Sequence, residues 1–417
     1  MAAAGLLVLW ATAFTPAALA DTGGAGQAAT GKTPFDRQGM WIWYVDSSEG
    51  GSPAAIVARA KRSGIGTVYV KSGDGDDVWS QFNRALVRRL HAGGLKVCAW
   101  QYVYGDQPVD EAKVGAVAVN RGADCLAIDA EAEYEGKYAS ADRYVRTLRG
   151  AIGDRFPLSL AAFPYVDYHP SFPYSVFLGP GGATYNQPQM YWRSIETSVR
   201  AVYEHTYLHN RIWGHPIYPI GQTYEGPSNA ELRLFRRYAQ SYEGRAPSWW
   251  SWQETSGPEW GALGARSALR PVTGYSPAIE HPLLKRGSRG DMVVWAQMHL
   301  IGAGLSQVPV SGVFGRATIA AVRSFQAERG LPVTGRIGTE TWEALLQAEP
   351  YRMSWAGGDG GEAGGAASGA TPPAEAGGAA SVAGDAFGSR RRGPRRPLSA
   401  SLPALAYEIP PGRGARR

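Results

Sequence analysis

The sequence predicts an α/β protein: a (β/α)₈ barrel followed by a small all-α module and a disordered tail. Three observations carry this. Between residues 39 and 260, eight short apolar runs alternate with amphipathic segments, the pattern of parallel strands joined by helices. A 23-residue internal repeat follows, SGVFGRAT (Ser311–Thr318) and TGRIGTET (Thr334–Thr341). The chain then becomes Gly-, Ala-, Pro- and Arg-rich with no apolar period, a composition that cannot bury a core.

The first 20 residues, MAAAGLLVLWATAFTPAALA, have an apolar centre closing on Ala18-Leu19-Ala20. That fits a signal peptide cleaved before Asp21, although it lacks a basic leading segment. An uncleaved anchor or a mis-set start is the alternative, and the run from Ala2 to Phe14 is short for a membrane span. A leader covers 21–38. Strands are expected at Met40–Val45, Thr67–Lys71, Lys96–Tyr102, Cys125–Asp129, Leu158–Phe163, Gln187–Trp192, Ile217–Gln222 and Ser248–Gln253. Helices are expected between them, for example Ala54–Arg62, Gln81–Ala92, Ala141–Ile152 and Asn229–Tyr242, several closing at Gly. The barrel is assigned to 39–260, a Gly/Ala/Ser/Pro-rich linker to 261–282, the helical module to 283–347 and the disordered tail to 348–417. In the module each repeat is a Gly turn leading into a helix, with Thr318, Val322 and Phe325 on one stripe.

Composition narrows the function. Of the formal charge of +6, +4 lies in Pro350–Arg417, where nine Arg face five acids. The nearly neutral body lacks the basic folded face that nucleic-acid binding needs. The two cysteines, Cys98 and Cys125, exclude a disulfide scaffold; they read as two buried thiols on neighbouring strands, with one bridge allowed in an exported protein. The seven His show no metal spacing, and His205 and His209, four apart, read as solvated helix residues.

The chemistry is concentrated in CLAIDAEAEYEGK, where Asp129, Glu131, Glu133 and Glu135 alternate with no basic residue among them until Lys137. On a strand, Cys125, Ala127, Asp129 and Glu131 share one face. Residues two apart lie roughly 6.5–7 Å apart along a strand, so each carboxylate raises its neighbour's proton affinity. Barrel active sites sit at the C-terminal strand ends, and Asp129 and Glu131 end the fourth strand. Other polar and aromatic residues fall near predicted strand ends: Trp43, Tyr44, Lys71, Asp74, Gln101, Tyr102, Tyr165, Gln189, Tyr191, Gln222, Trp252 and Gln253. Aromatic platforms with amide partners suit sugars, whose apolar faces are ringed by hydroxyls.

The segment from Leu284 to Leu346, with Gly287, Gly290, Gln297, Leu300, Gly312, Phe314, Gly315, Phe325, Gln326, Gly335, Gly338 and Trp342, closely resembles the small three-helix peptidoglycan-binding domain. It departs from that family at Ser311 and Thr334, where Asp is common. The barrel resembles family-25 glycoside hydrolases, the lysozyme type, in ARAKRSGIGTVYVKSGDG, in the D-x-E of IDAE and in WQETS, Trp252 to Ser256. It is more distantly similar to glycoside-hydrolase-like domains of exported actinobacterial proteins. The resemblance implies Glu131 as general acid and Asp129 as its D-x-E partner. It also implies an Asp inside strand one, where this chain has Trp41; Asp46, at the strand's end, is the candidate substitute, and Asp46 or Glu133 would help Asp129 stabilise the transition state or position water.

Two readings follow: an exported, wall-associated or extracellular muramidase-like glycosidase, or a non-catalytic wall-binding scaffold with a degenerate barrel. The expected partner is peptidoglycan or related wall glycan. No nucleic acid, no membrane beyond the signal segment, no cofactor and no metal are expected, and the chain is expected to be a monomer.

Overall fold

The computed structural model describes residues 33–355. The expected signal segment, most of the expected leader and residues 356–417 of the expected tail lie outside the described residues. Residues 348–355, expected to begin the disordered tail, are instead packed on the folded units, with Tyr351 N donating to Met298 O, Trp355 N to Asp142 Oδ2 and Trp355 against Tyr138. The strands are β1 (Gly39–Ile42), β2 (Thr67–Asp74), β3 (Asp77–Val78), β4 (Lys96–Val103), β5 (Cys125–Ala130), β6 (Leu158–Ala162), β7 (Tyr185–Pro188), β8 (Ile220–Gln222) and β9 (Ser248–Trp250). They pair in the order β7-β6-β5-β4-β2-β1-β9-β8, all parallel except β3, which hairpins onto the end of β2. Parallel bridges Asn186↔Ile217 and Gln189↔Ile220 bring β7 to the chain entering β8. The ring is thereby completed through two bridges rather than a full ladder.

The helices α1 (Pro53–Arg62), α2 (Arg84–Ala92), α3 (Pro108–Asn120), α4 (Tyr138–Ile152), α5 (Tyr174–Phe177), α6 (Val199–Asn210), α7 (Asn229–Tyr242) and α8 (Gly257–Gly264) form the outer layer. All eight expected barrel strands are present. The β7 segment lies earlier than expected because the chain turns after Pro188, whose ring nitrogen cannot extend a ladder.

Strand parity separates two cores. Met40, Ile42, Val68, Val70, Val97, Ala99, Leu126 and Ile128 face the helices, whereas Trp41, Tyr69, Cys98, Trp100, Cys125, Ala127, Ala161 and Trp250 fill the barrel. Trp41 stacks on Tyr69 at 4.7 Å and 7°, and its indole N–H donates to Ser248 Oγ at 2.9 Å. Phe35, buried beside Tyr185 and Tyr218 at 4.5 and 5.5 Å, closes the N-terminal end. Truncating Trp41 or Trp100 to Ala would cost about 3–5 kcal/mol, the range for a buried aromatic. Cys98 and Cys125 face inward as register partners on β4 and β5. The expectation of two buried thiols is corrected here: with Cα atoms 4.5 Å apart, the two are joined in a disulfide.

The module contains α9 (Asp291–Gly302), α10 (Arg316–Glu328) and α11 (Thr339–Leu345). A buried glutamine organises each repeat. Gln297 Oε1 accepts from Ser311 N and Gly312 N, while its amide donates to Val313 O and Thr318 Oγ1. Gln326 does the same for Gly335 N, Arg336 O and Thr341 Oγ1. The turn glycines Gly312 and Gly335 have φ of 64° and 68°, a conformation that favours glycine.

The module is seated on the barrel. The Asp291 carboxylate accepts from Ser175 N and Ser175 Oγ, and Asp291 N donates to Pro170 O at 2.7 Å. Trp295 donates to Ile212 O and packs on Trp213 with centroids 5.4 Å apart. At Gly290 a Cβ would stand 2.6 Å from Pro170 O, so only glycine permits this approach. The segment between the two units also lies against the barrel: Val272 N donates to Ser241 Oγ, Tyr275 bonds Tyr242, and Arg211 reaches Ala278 O.

Candidate active site

Beyond β5 the strand gives way to a 3-10 turn, Ala132–Tyr134. The alternation of the four acids therefore stops at Glu131. Asp129 continues the inward parity of Cys125 and Ala127 and is buried. Glu131, still extended at φ −130° and ψ −148°, is half-buried above it. The Gln189 amide donates to both, at 2.9 Å to Asp129 Oδ1 and 3.0 Å to Glu131 Oε1. Glu133 is exposed and accepts from Tyr102 Oη at 2.7 Å. Glu135 turns away to His169 and Ser171.

Burial dominates the electrostatics. It pushes Glu131 up to about 7, with Glu133 adding repulsion and the Gln189 bond partly opposing. Asp129 is held well above the ordinary carboxylate range, first by burial and then by Glu131, with Lys71 opposing. Two such neighbours titrate as a pair rather than singly. The pair retains a proton near neutrality, as a general acid must, with one negative charge shared beside it.

Lys71 supplies the adjacent cation. Its ammonium is buried 2.7 Å from Asp74 Oδ2 and lies over Trp43, Trp79 and Trp100 at 5.1, 4.5 and 4.8 Å from the ring centroids, a cation–π cage. Trp43 stacks with Tyr44 at 5.5 Å and 7°, and Tyr44 meets Trp79. Tyr44 is exposed, extending the aromatic cage of Lys71 into a ledge open to solvent. Tyr191 lies against Tyr224; the fields of Asp129, Glu131 and Glu254 all add to the burial that raises its phenol.

Other expected site residues stand elsewhere. Asp46 is exposed beyond β1 beside Gly51, and the strand-one position within the barrel is filled by Trp41. Gln101 faces outward, donating to Gly75 O and Glu111 O. Tyr165 packs in the helix layer, stacked on His205 at 3.9 Å. Trp252 packs outward on Trp260. Gln253 braces the chain after β1 through Trp43 N, Tyr44 O and Ser48 Oγ. Gln222 holds Arg193 N, Tyr224 O and Glu225. These glutamines position the loops rather than offer free amides.

Asp74, expected beside Lys71 at the strand ends, is where the sequence put it, and sequence reasoning missed two groups near the mouth, Glu254 and Trp79. Asp74 ties Lys71 to Tyr104 Oη. Glu254, in the third position of WQETS, accepts from Ser251 Oγ and is raised mainly by burial, with Glu225 adding to it. Trp79 completes the lysine cage. The only signal for Glu254 was its replacement of the aromatic residue in the W-Q-Y-T-S pattern. Outside the mouth, Asp167 joins the histidine pair, 2.7 Å from His205 Nε2 and 3.7 Å from His209 Nδ1. The three are close enough together to hold a cation, and the His205 contact holds Asp167 low. Among the described residues no helix is long and apolar enough to cross a membrane.

Comparison with known proteins bears mainly on the module. Residues 289–345 match the family described as putative peptidoglycan binding domain. A spore cortex-lytic enzyme of Bacillus cereus is 38% identical over 79 residues, 19% of this chain and 30% of that protein. This chain thus spans under a third of that relative's length. In architecture the chain is similar to an endo-beta-1,4-mannanase from Thermotoga petrophila (TM-score 0.42, 11% identity, covering 61% of this chain and 81% of that one). It is also similar to a family 25 glycosyl hydrolase from Bacillus anthracis (TM-score 0.27, 11% identity, 37% and 70%). Likenesses this remote carry nothing about the reaction.

Proposed function

We propose that the protein hydrolyses glycosidic bonds of cell-wall glycan in a muramidase-like reaction, with its C-terminal module holding it on peptidoglycan. The observation that carries this is the Asp129–Glu131 pair on one Gln189 amide, with Glu131 retaining its proton to about pH 7. With one proton shared by the pair, Glu131 delivers it to the leaving oxygen while the negative charge left on Asp129 stabilises the oxocarbenium-like charge that develops on the sugar. Trp43, Tyr44 and Trp79 offer apolar faces to the sugar rings, and Tyr102 holds Glu133 in place. Glu254, whose field reaches Tyr191 together with those of Asp129 and Glu131, is the further carboxylate for positioning water, rather than the exposed Asp46. Export to the wall belongs to the same reading. The test is incubation of the purified protein with purified peptidoglycan, followed by assay of new reducing ends. Release of reducing ends supports the reading.

A second reading rests on Trp41. With an indole filling the strand-one position and Asp46 exposed, the barrel grips glycan without cleaving it. Failure to release reducing ends from any peptidoglycan, with binding retained, would favour this second reading.

A further inference from the structure

A concavity of about 470 Å³ opens on the module, lined by Arg286, Arg316, Arg323 and Arg336 with Ile319 and Gly335 between them. The four arginines come from three segments: the turn before α9, one face of α10, and the second Gly turn. All four are exposed. No acidic side chain lines the hollow, and among the described residues none of the four guanidinium groups has an ion-pair or hydrogen-bond partner. Four like charges around one hollow repel each other, and nothing in the fold requires them there; a multiply anionic ligand relieves that repulsion.

We propose that this hollow seats the carboxylates of peptidoglycan stem peptides, an inference that rests on the wall-binding role given to the module above. A guanidinium presents a planar fork that pairs two-to-two with a carboxylate. The apolar side chain of Ile319, with Ala320 beside it, gives a floor between the charges. That suits a short peptide whose carboxylates are separated by methyl and methylene groups. A polyol phosphate chain has no apolar part to fill it. The glycan backbone does not supply the match either, because the lactyl carboxyl of muramic acid is consumed in the peptide link.

The experiment is co-sedimentation of the full-length protein with insoluble peptidoglycan, in three arms. In the first, Arg323→Gln/Arg336→Gln and the fourfold Arg→Gln variant are compared with the unmodified protein. The double change is expected to weaken binding about tenfold or more, the scale of losing charge-assisted hydrogen bonds. The fourfold change should leave the protein in the supernatant with its thermal melt unchanged. In the second arm the unmodified protein meets peptidoglycan whose carboxylates have been amidated, and binding should fall as far as it does for the fourfold variant. In the third arm phosphate-bearing polymers are stripped from the wall, and binding should persist. Equal sedimentation of the variants, or indifference to amidation, overturns the inference while leaving the wall-binding role standing. Loss of binding only on stripping assigns the hollow to phosphodiesters and overturns it too. If the unmodified protein does not sediment with intact peptidoglycan, the wall-binding role fails and the inference with it.

Discussion

The barrel mouth and the arginine hollow both crowd charges of one sign, and they do so in opposite ways. Asp129 is buried at the end of β5 with Glu131 half-buried above it; they share one amide, and burial is the largest influence on each. The four arginines stand in water on exposed surface. In the mouth, desolvation turns charge crowding into proton retention, which is reactivity. In the hollow, water screens the crowding and the charges remain fixed, which suits recognition. The density of like charge is therefore uninformative until burial is known.

The sharpest way to break this contrast is Glu131→Gln. Reducing-end release should fall on the order of a hundredfold or more, as for loss of a general acid, while sedimentation with peptidoglycan stays unchanged. Undiminished turnover would place the proton donor elsewhere, with Glu254 next.

A smaller effect is expected from separating the two regions. The DMVVWAQMHL run of α9 is buried almost all round, partly by the barrel. Because Pro282–Gln347 contains the whole Gly-turn repeat and its own apolar stripes, the sequence suggests that it folds alone. The seating of Trp295 and Asp291 instead predicts that the excised module melts several degrees below its transition in the whole chain, as differential scanning calorimetry would measure; an unchanged melt would show that the seat contributes little.

Asp291 gives a third test, as an acid of the module buried against the barrel. It binds its proton up to about pH 7 in the folded chain, because of burial, against 3.8 ordinarily. The folded state therefore holds more protons over that interval, and its stability falls as pH rises from about 4 to about 7. Asp291→Asn mimics the neutral acid, donating to Ser175 Oγ and accepting from Ser175 N. It should flatten the dependence of Tm on pH across that window, and an unaltered slope would remove Asp291 as its source.

The smallest expected effect sharpens the mouth. If Glu131 is the acid, hydrolysis should decline as pH rises through about 7. Glu133→Gln removes a charge that raises Glu131, so the declining limb should move to lower pH, by roughly a few tenths of a unit for an exposed neighbour. A shift to higher pH would contradict the assigned sign.

Much of this was legible in the sequence because periodicity reports on faces. The eight barrel strands, the Gly-turn repeat and the inward placement of Asp129 follow from alternation of side chains or spacing of glycines. One error follows from ignoring the same alternation, since Gln101 and Tyr102 are adjacent on β4 and cannot both point into a barrel; Trp252 and Gln253 were misplaced because β9 ends at Trp250 and the alternation stops there. The contribution of Glu254 was hidden for another reason, since its neighbours Glu225 and Tyr191 are brought to it only by ring closure. Asp167 likewise meets His205 across 38 residues. The seat of the module was partly visible: α9 lacks a polar face, and a helix apolar on all sides must be covered by more than its own small domain.

That seat has a mechanical consequence. A binding unit on a slack tether lets its partner sweep a volume set by linker length, whereas a unit clamped through Asp291, Trp295 and Gly290 acts as a bracket. The hollow and the mouth then stand at one fixed span, like the two points of a compass. On the proposed reading, an anchored molecule reaches only the bonds that lie on that radius. Further cleavage requires it to let go and land again, so the spacing of cuts would record the dimensions of the protein rather than the chemistry of the chain it cuts.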